Sequence, residues 1–220
     1  MDQRLQQGQS ATTVATARNT LSFELCVLAS GRKSCIGIDL KTGAGVRTIE
    51  SQSRPLLRPY TVVVAQDAQP VPDRPELPEL AAVSSLKPVG TIEPRRVEKM
   101  LRQLRHPTSL PLLGFSGPSA PWWERDHVAP SLAILDVRYS FQAAMGPRGL
   151  RARFEWNGQR HDLPLEDIRL LSQLDWLPSS TGSVPVKRLL GFRPDRLVVA
   201  LGHPNRGYCP KVVAGLLQAA

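Results

Sequence analysis

Asn157-Gly158 stands between LRARFEW at 150–156 and QRHDL at 159–163. Both turn residues tolerate positive φ, so this dipeptide is the preferred centre of a type I′ hairpin. The strand before it alternates apolar and basic side chains, the period-two pattern of a strand buried on one face. A chain with this feature must accommodate antiparallel β pairing across residues 150–163. The rest of the sequence offers similar material. LSFELCVLA (21–29), CIGIDL (35–40), VRTIE (46–50) and TVVVA (61–65) are short apolar or β-branched runs split by Gly, Ser and Lys turns, as in an antiparallel meander. LAILDVRYSF (132–141) reads as one long or bent strand. DRLVVALG and YCPKVVAGLL read as two strands around HPNRG.

Helical periodicity is rare. PRRVEKMLRQLR (94–105) places Val97, Met100, Leu101 and Leu104 on one stripe, with Pro94 suited to the first turn. PLEDIRLLSQL (164–174) suits a short helix starting at Pro164. Gln66 to Pro88 is rich in proline and acid, and proline lacks the amide donor of a ladder, so this stretch reads as a loop. The fold class expected is mainly β with one or two helices, a β-rich α+β chain. Residues 1–20 are expected to be a polar, mostly disordered tail or an overlong start, with a mitochondrial presequence as the rival. Residues 21–90 make a first β unit with a Pro-rich loop. Residues 91–130 are a helical and irregular connector. Residues 131–220 make a second β unit, whose terminal strand is expected to close on the first.

No run of 18 apolar residues occurs, and the N-terminus lacks an apolar signal core. The expectation is a non-membrane chain. Three cysteines, an odd number without an export signal, point to reduced thiols and the cytoplasm. The four histidines lack ligand spacing, so neither a metal nor any other cofactor is expected. The net charge of +9 favours anionic partners, nucleic acid or nucleotide first. The excess is local: residues 181–220 carry six bases and one acid, residues 61–94 two bases and five acids. The plainer explanation is an arginine-rich soluble surface.

LCVLASGRKSCIGIDLKTGAGVR (25–47) and LVVALGHPNRGYCPKVVAGLL (197–217) together resemble the opening and closing signatures of the dual OB-containing domain family of prokaryotic proteins. RGLRARFEWNGQRHDLPLEDI (148–168) fits that family's second half. The chain departs from the pattern at Gly45-Val46-Arg47-Thr48, where the family has an aromatic and Arg-Pro. The resemblance implies two small OB-like barrels and a nucleic-acid or nucleotide-binding role in a bacterial cytoplasm. Such barrels combine a basic groove with aromatic platforms. The candidates for stacking are Trp122, Trp123, Trp156, Trp176 and Tyr208, with Trp156 expected to be the most exposed; core packing is the commoner use of tryptophan.

The turn Ser30-Gly31-Arg32-Lys33-Ser34 offers backbone amides and two cations to a phosphate, without a Walker spacing. With Arg47, Tyr208 and Lys211 it makes up the candidate ligand-binding set: Ser30, Arg32, Lys33, Arg47, Tyr208 and Lys211. The two signature turns are expected to meet at one cleft, with barrel closure as the alternative. Arg95, Arg96 and Arg102 are candidate phosphate contacts on the 94–105 helix, against a solvated face. No catalytic constellation is legible. Asp162, Glu166 and Asp167 fit a turn and a helix start rather than a metal site, and Asp39 and Asp136 make no pair. Beside the nucleic-acid reading stand two others. One is a protein-interaction adaptor using the Pro-rich segment and the arginine helix. The other is a nucleotide enzyme acting through Cys35 or Cys209.

Overall fold

The computed structural model describes residues 21–31, 33–50, 56–74, 77–121, 130–137, 140–174 and 182–218. The first unit contains β1 (Leu21–Ser30), β2 (Ser34–Asp39), β3 (Gly45–Glu50), β4 (Thr61–Pro70), β5 (Leu80–Val83) and β6 (Ser85–Thr91). Its strands run in the order β1-β2-β3-β5-β4, and β4 pairs back to β1, so five strands close into a barrel. β3 and β5 pair in parallel and the other neighbours are antiparallel. Closure leaves these five strands without an edge. β6 adds to β4 outside the ring.

The helix α1 (Pro94–Gln103) leads out of this unit, and a single 3₁₀ turn spans Leu112–Gly114. The second unit contains β7 (Ser119–Pro121), β8 (Leu132–Asp136), β9 (Gln142–Gly146), β10 (Gly149–Trp156), β11 (Gln159–Pro164), α2 (Ile168–Leu174), β12 (Gly182–Val184), α3 (Val186–Leu190), β13 (Arg196–Leu201) and β14 (Tyr208–Leu217). One sheet runs β11-β10-β9-β12 and the other β7-β14-β13-β8. Together they form a half-barrel. The chain is thus mainly β, with three α-helices among the described residues and a closed barrel and a half-barrel consistent with small OB-like barrels.

The strand period of two explains why so many central residues are apolar on both faces. In β1, Leu25 and Val27 point into the barrel with Val63 and Ala65, while Cys26 and Leu28 point outward. In β13, Leu197, Val199 and Leu201 fill the second unit, while Val198 and Ala200 meet Cys26, Leu28, Ile36 and Ile38. Val97 and Leu101 of α1 seal the same junction. The outer β2–β3 surface of the barrel, where OB-folds commonly hold oligonucleotides, is therefore largely covered by the β8-β13-β14 layer. Where β14 crosses β1, a Cβ on Gly215 would stand 2.7 Å from Cβ of Ala29. The last strand closes on the first unit by this face contact; its strand neighbours are β13 and β7.

Three expectations need correcting. The stretch 66–88 is not all loop. β4 runs on to Pro70, and β5 and β6 lie inside the stretch. Pro88 is tolerated because β6 pairs only with β4 and its register shifts beside Pro88. Pro164 ends β11 instead of opening a helix, and α2 starts at Ile168. The stretch 132–141 contains β8 and a turn before β9, not one strand. The Asn157-Gly158 hairpin forms as the sequence dictates, with φ of 50° and 71° at its two central residues.

Candidate functional site at the junction of the two units

The two signature turns lie at the same end of the junction. The first is closed by the Gly31 amide donating to the Ser34 carbonyl at 2.8 Å. Ser30 is buried, and its hydroxyl oxygen accepts from the Leu57 amide at 3.3 Å. The second turn is a two-residue hairpin: Asn205 and Tyr208 exchange amide-to-carbonyl bonds of 2.8 and 3.1 Å around Arg206 and Gly207. Arg206 has φ of 51° and Gly207 of 85°. A non-glycine residue held in the left-handed region is uncommon and costs on the order of 1 kcal/mol.

Between these turns lies a cleft of about 380 Å³. Ala29, Ser30, Gly31, Ser34 and Ile36 line one side, with Arg47 and Ile49 from β3. Ala200, Gly202, His203, Asn205, Pro210, Val212 and Ala214 line the other, and Glu166 stands at the rim. The cleft is the part of the β2–β3 face that the second unit leaves open.

Arg47 is buried at its floor. Its guanidinium donates to the Leu201 carbonyl at 2.5 Å and to that of Ser131 at 3.5 Å, and it pairs with Glu79 at 3.3 Å. The Ser131 hydroxyl donates to the same Glu79 carboxylate. Arg47 therefore ties β3 to the second unit. Its charge is met by Glu79 and by carbonyls, which removes it as the main anion contact. Among the described residues the Glu166 carboxylate makes no hydrogen bond or ion pair. The cleft wall shields one side of it from water and pushes its pKa up, against the pull of Arg47. More than a third of the residue remains accessible, so solvent moderates that shift.

Lys211 does not reach the cleft. Successive side chains of β14 alternate, so Pro210, Val212 and Ala214 line the cleft while Cys209 and Val213 point into the second core. Lys211 follows Cys209. It is 1% exposed, and its ammonium donates to the Phe115 carbonyl and to that of Gly117 at 2.7 Å. Burial pushes its pKa down to about 8. Lys211 anchors the 106–118 loop; it is no surface cation, and it does not converge with Lys33. Lys33 is exposed in the first turn beside the cleft-lining Ser34. Tyr208 is 49% exposed but is not among the lining residues. Arg32 lies outside the described residues, as do Trp122, Trp123 and Trp176. Trp156 is half-buried rather than exposed, with its ring edge-on to His106 at 5.0 Å.

The helix candidates divide. Arg102 pairs with Glu98 at 3.3 Å, and Glu98 also takes a two-pronged contact from buried Arg196 at 2.7 and 2.9 Å. Arg95 and Arg96 are exposed, and α1 contributes nothing to the cleft lining. The three cysteines are buried and none forms a disulfide, and burial pushes Cys26 up to about 12, which disfavours a thiolate. Asp39 accepts the amides of Lys41 and Thr42 within its own turn. Asp167 is buried, holding Arg169 and the Leu216 amide.

Glu166, His203, Asn205 and Arg206 were missed from sequence. The hairpin turn marked the neighbourhood of the last three, but only the fold carries Glu166 to it, by the Glu166 amide donating to the Val213 carbonyl at 2.8 Å. No helix among the described residues is long and apolar enough to cross a membrane. No family model, curated protein or solved structure matches the chain.

Proposed function

We propose that the chain binds nucleotides, free or within a single strand, at the cleft between its two units. The convergence of both signature turns on one cleft carries this reading. The sequence-level resemblance to dual OB proteins supports it. The cleft offers apolar walls for a base and a Gly/Ser turn at its mouth. The exposed cations Lys33 and Arg206 adjoin lining residues Ser34 and Asn205. Its volume lies near the lower end of small-ligand sites, about 300–1,000 Å³. It suits one nucleotide unit and excludes a duplex.

The test is anisotropy of a labelled single-stranded oligonucleotide, after nuclease treatment of the protein, across a salt series. Binding to single strands weakens with a log–log slope of about 0.7 for each phosphate contact. Lys33→Ala and Arg206→Ala each lower affinity and flatten the slope by about that amount, and Lys33→Ala leaves the melting temperature unchanged. Arg95→Ala combined with Arg96→Ala leaves the slope as it was, because α1 lies outside the cleft. No binding of any oligonucleotide or mononucleotide refutes the reading.

A further inference from the structure

We infer that the cleft selects guanine, with the Glu166 carboxylate accepting from the base's N1–H and N2 amino group. This deepens the nucleotide-binding reading and rests on it. Three observations point this way.

The first is the wall. Ala29, Ile36 and Ile49 line one side, and Ala200, Leu201, Pro210, Val212 and Ala214 the other. Apolar walls of this kind accept the faces of a base.

The second is the charge inventory. The lining contains one arginine and one carboxylate besides His203. Arg47 is committed to Glu79, Leu201 and Ser131. What remains is an acceptor group with no internal partner. A carboxylate has two acceptor oxygens and no donor when ionised. Guanine presents two adjacent donors on one edge, N1–H and the N2 amino group. Adenine alternates a donor with an acceptor on that edge, and uracil places one donor between two acceptors. Among the base edges, an ionised carboxylate meets two adjacent donors only on guanine.

The third is position. Glu166 stands two residues past the end of β11 and is held by its own amide to β14, so its side chain stands on an anchored backbone. The shielding that raises its pKa also strengthens a charge-assisted hydrogen bond formed there.

The experiment is calorimetric titration with the 5′-monophosphates of guanosine, inosine and adenosine. Hypoxanthine keeps the N1–H and lacks the amino group, so the expected order is guanosine, then inosine, then adenosine. A well-formed two-bond contact discriminates by roughly five- to a hundredfold between guanosine and adenosine. Glu166→Gln removes most of that ratio. It leaves the melting temperature close to wild type, since the backbone bond to Val213 is kept. Lowering the pH to protonate Glu166 has the same effect as the substitution. Equal binding of guanosine and adenosine monophosphates overturns the inference but leaves the nucleotide-binding reading standing. A guanine preference that survives Glu166→Gln also overturns it. Failure of all three to bind overturns both.

Discussion

Individual side chains in this protein do more joining than reacting. Arg47 and Glu79 are both nearly buried and connect the barrel to the second unit. Truncating one partner of such a pair leaves the other charge buried and uncompensated, which costs about 3–5 kcal/mol. Glu79→Ala is therefore expected to lower the unfolding free energy obtained from urea denaturation by an amount of that order, and to cost more than an exposed control such as Glu155→Ala. Equal effects would mean that water reaches the pair. His106 acts similarly within the 106–118 loop. Its Nδ1 lies 2.8 Å from the Pro107 carbonyl, and its Nε2 accepts the Leu113 amide at 2.8 Å. These partners fix the neutral tautomer with the proton on Nδ1. Burial, with the nearby Lys211 charge, holds its pKa below the ordinary value of 6.5.

The folded protein thus binds fewer protons than the unfolded chain between the lowered pKa and 6.5. Stability is full above that window and falls as pH drops through it. His161, lowered first by burial and then by Lys211, adds in the same direction. Glu166, with its raised pKa, opposes only at lower pH, near the carboxylate range. Denaturation from neutral pH to about 5 should show this loss, and His106→Gln, which can still accept the Leu113 amide, should reduce it. An unchanged pH profile in that variant would place the titration elsewhere.

At the scale of elements, what could be read from sequence was whatever is set by neighbours along the chain. The Asn157-Gly158 hairpin and α1 follow from local φ preference and a local stripe, and both form where the residues dictate. The misreadings involve partners far away in sequence. Proline density between 66 and 88 signals a loop on local grounds, but β6 needs only one pairing side, so Pro88 fits. Lys211 looked like a ligand contact because its neighbours form a turn. The alternation of β14 placed it on the opposite face, and that alternation was already present in the sequence. What could not be read was which face would meet which partner. Gly215 shows the same dependence on a remote strand, since its missing side chain allows β14 to lie against β1. Gly215→Val forces these strands apart at a site with no room. The expected destabilisation is about 1–3 kcal/mol, typical of overpacking. Thermal denaturation measures it, and a neutral result would show that the contact yields freely.

For the whole molecule, the most consequential arrangement is the layer formed by β8, β13 and β14, which is buried on both sides. The fold class was foreseeable from short runs and turns. The sharing of this layer was not, because it depends on which barrel surface turns inward. It also gives the chain an order-of-synthesis problem. A ribosome completes β1–β6 well before it reaches β13 and β14, and at roughly 5–20 residues per second the wait is on the order of ten seconds. Through that interval the emerging barrel carries Cys26, Leu28, Ile36 and Ile38 on its outside, with β13 and β14 not yet made and only α1 and then β8 available to cover part of them. The nascent chain therefore presents a temporary adhesive surface to whatever holdase attends its exit. The half that hides this surface is also the half that completes the cleft.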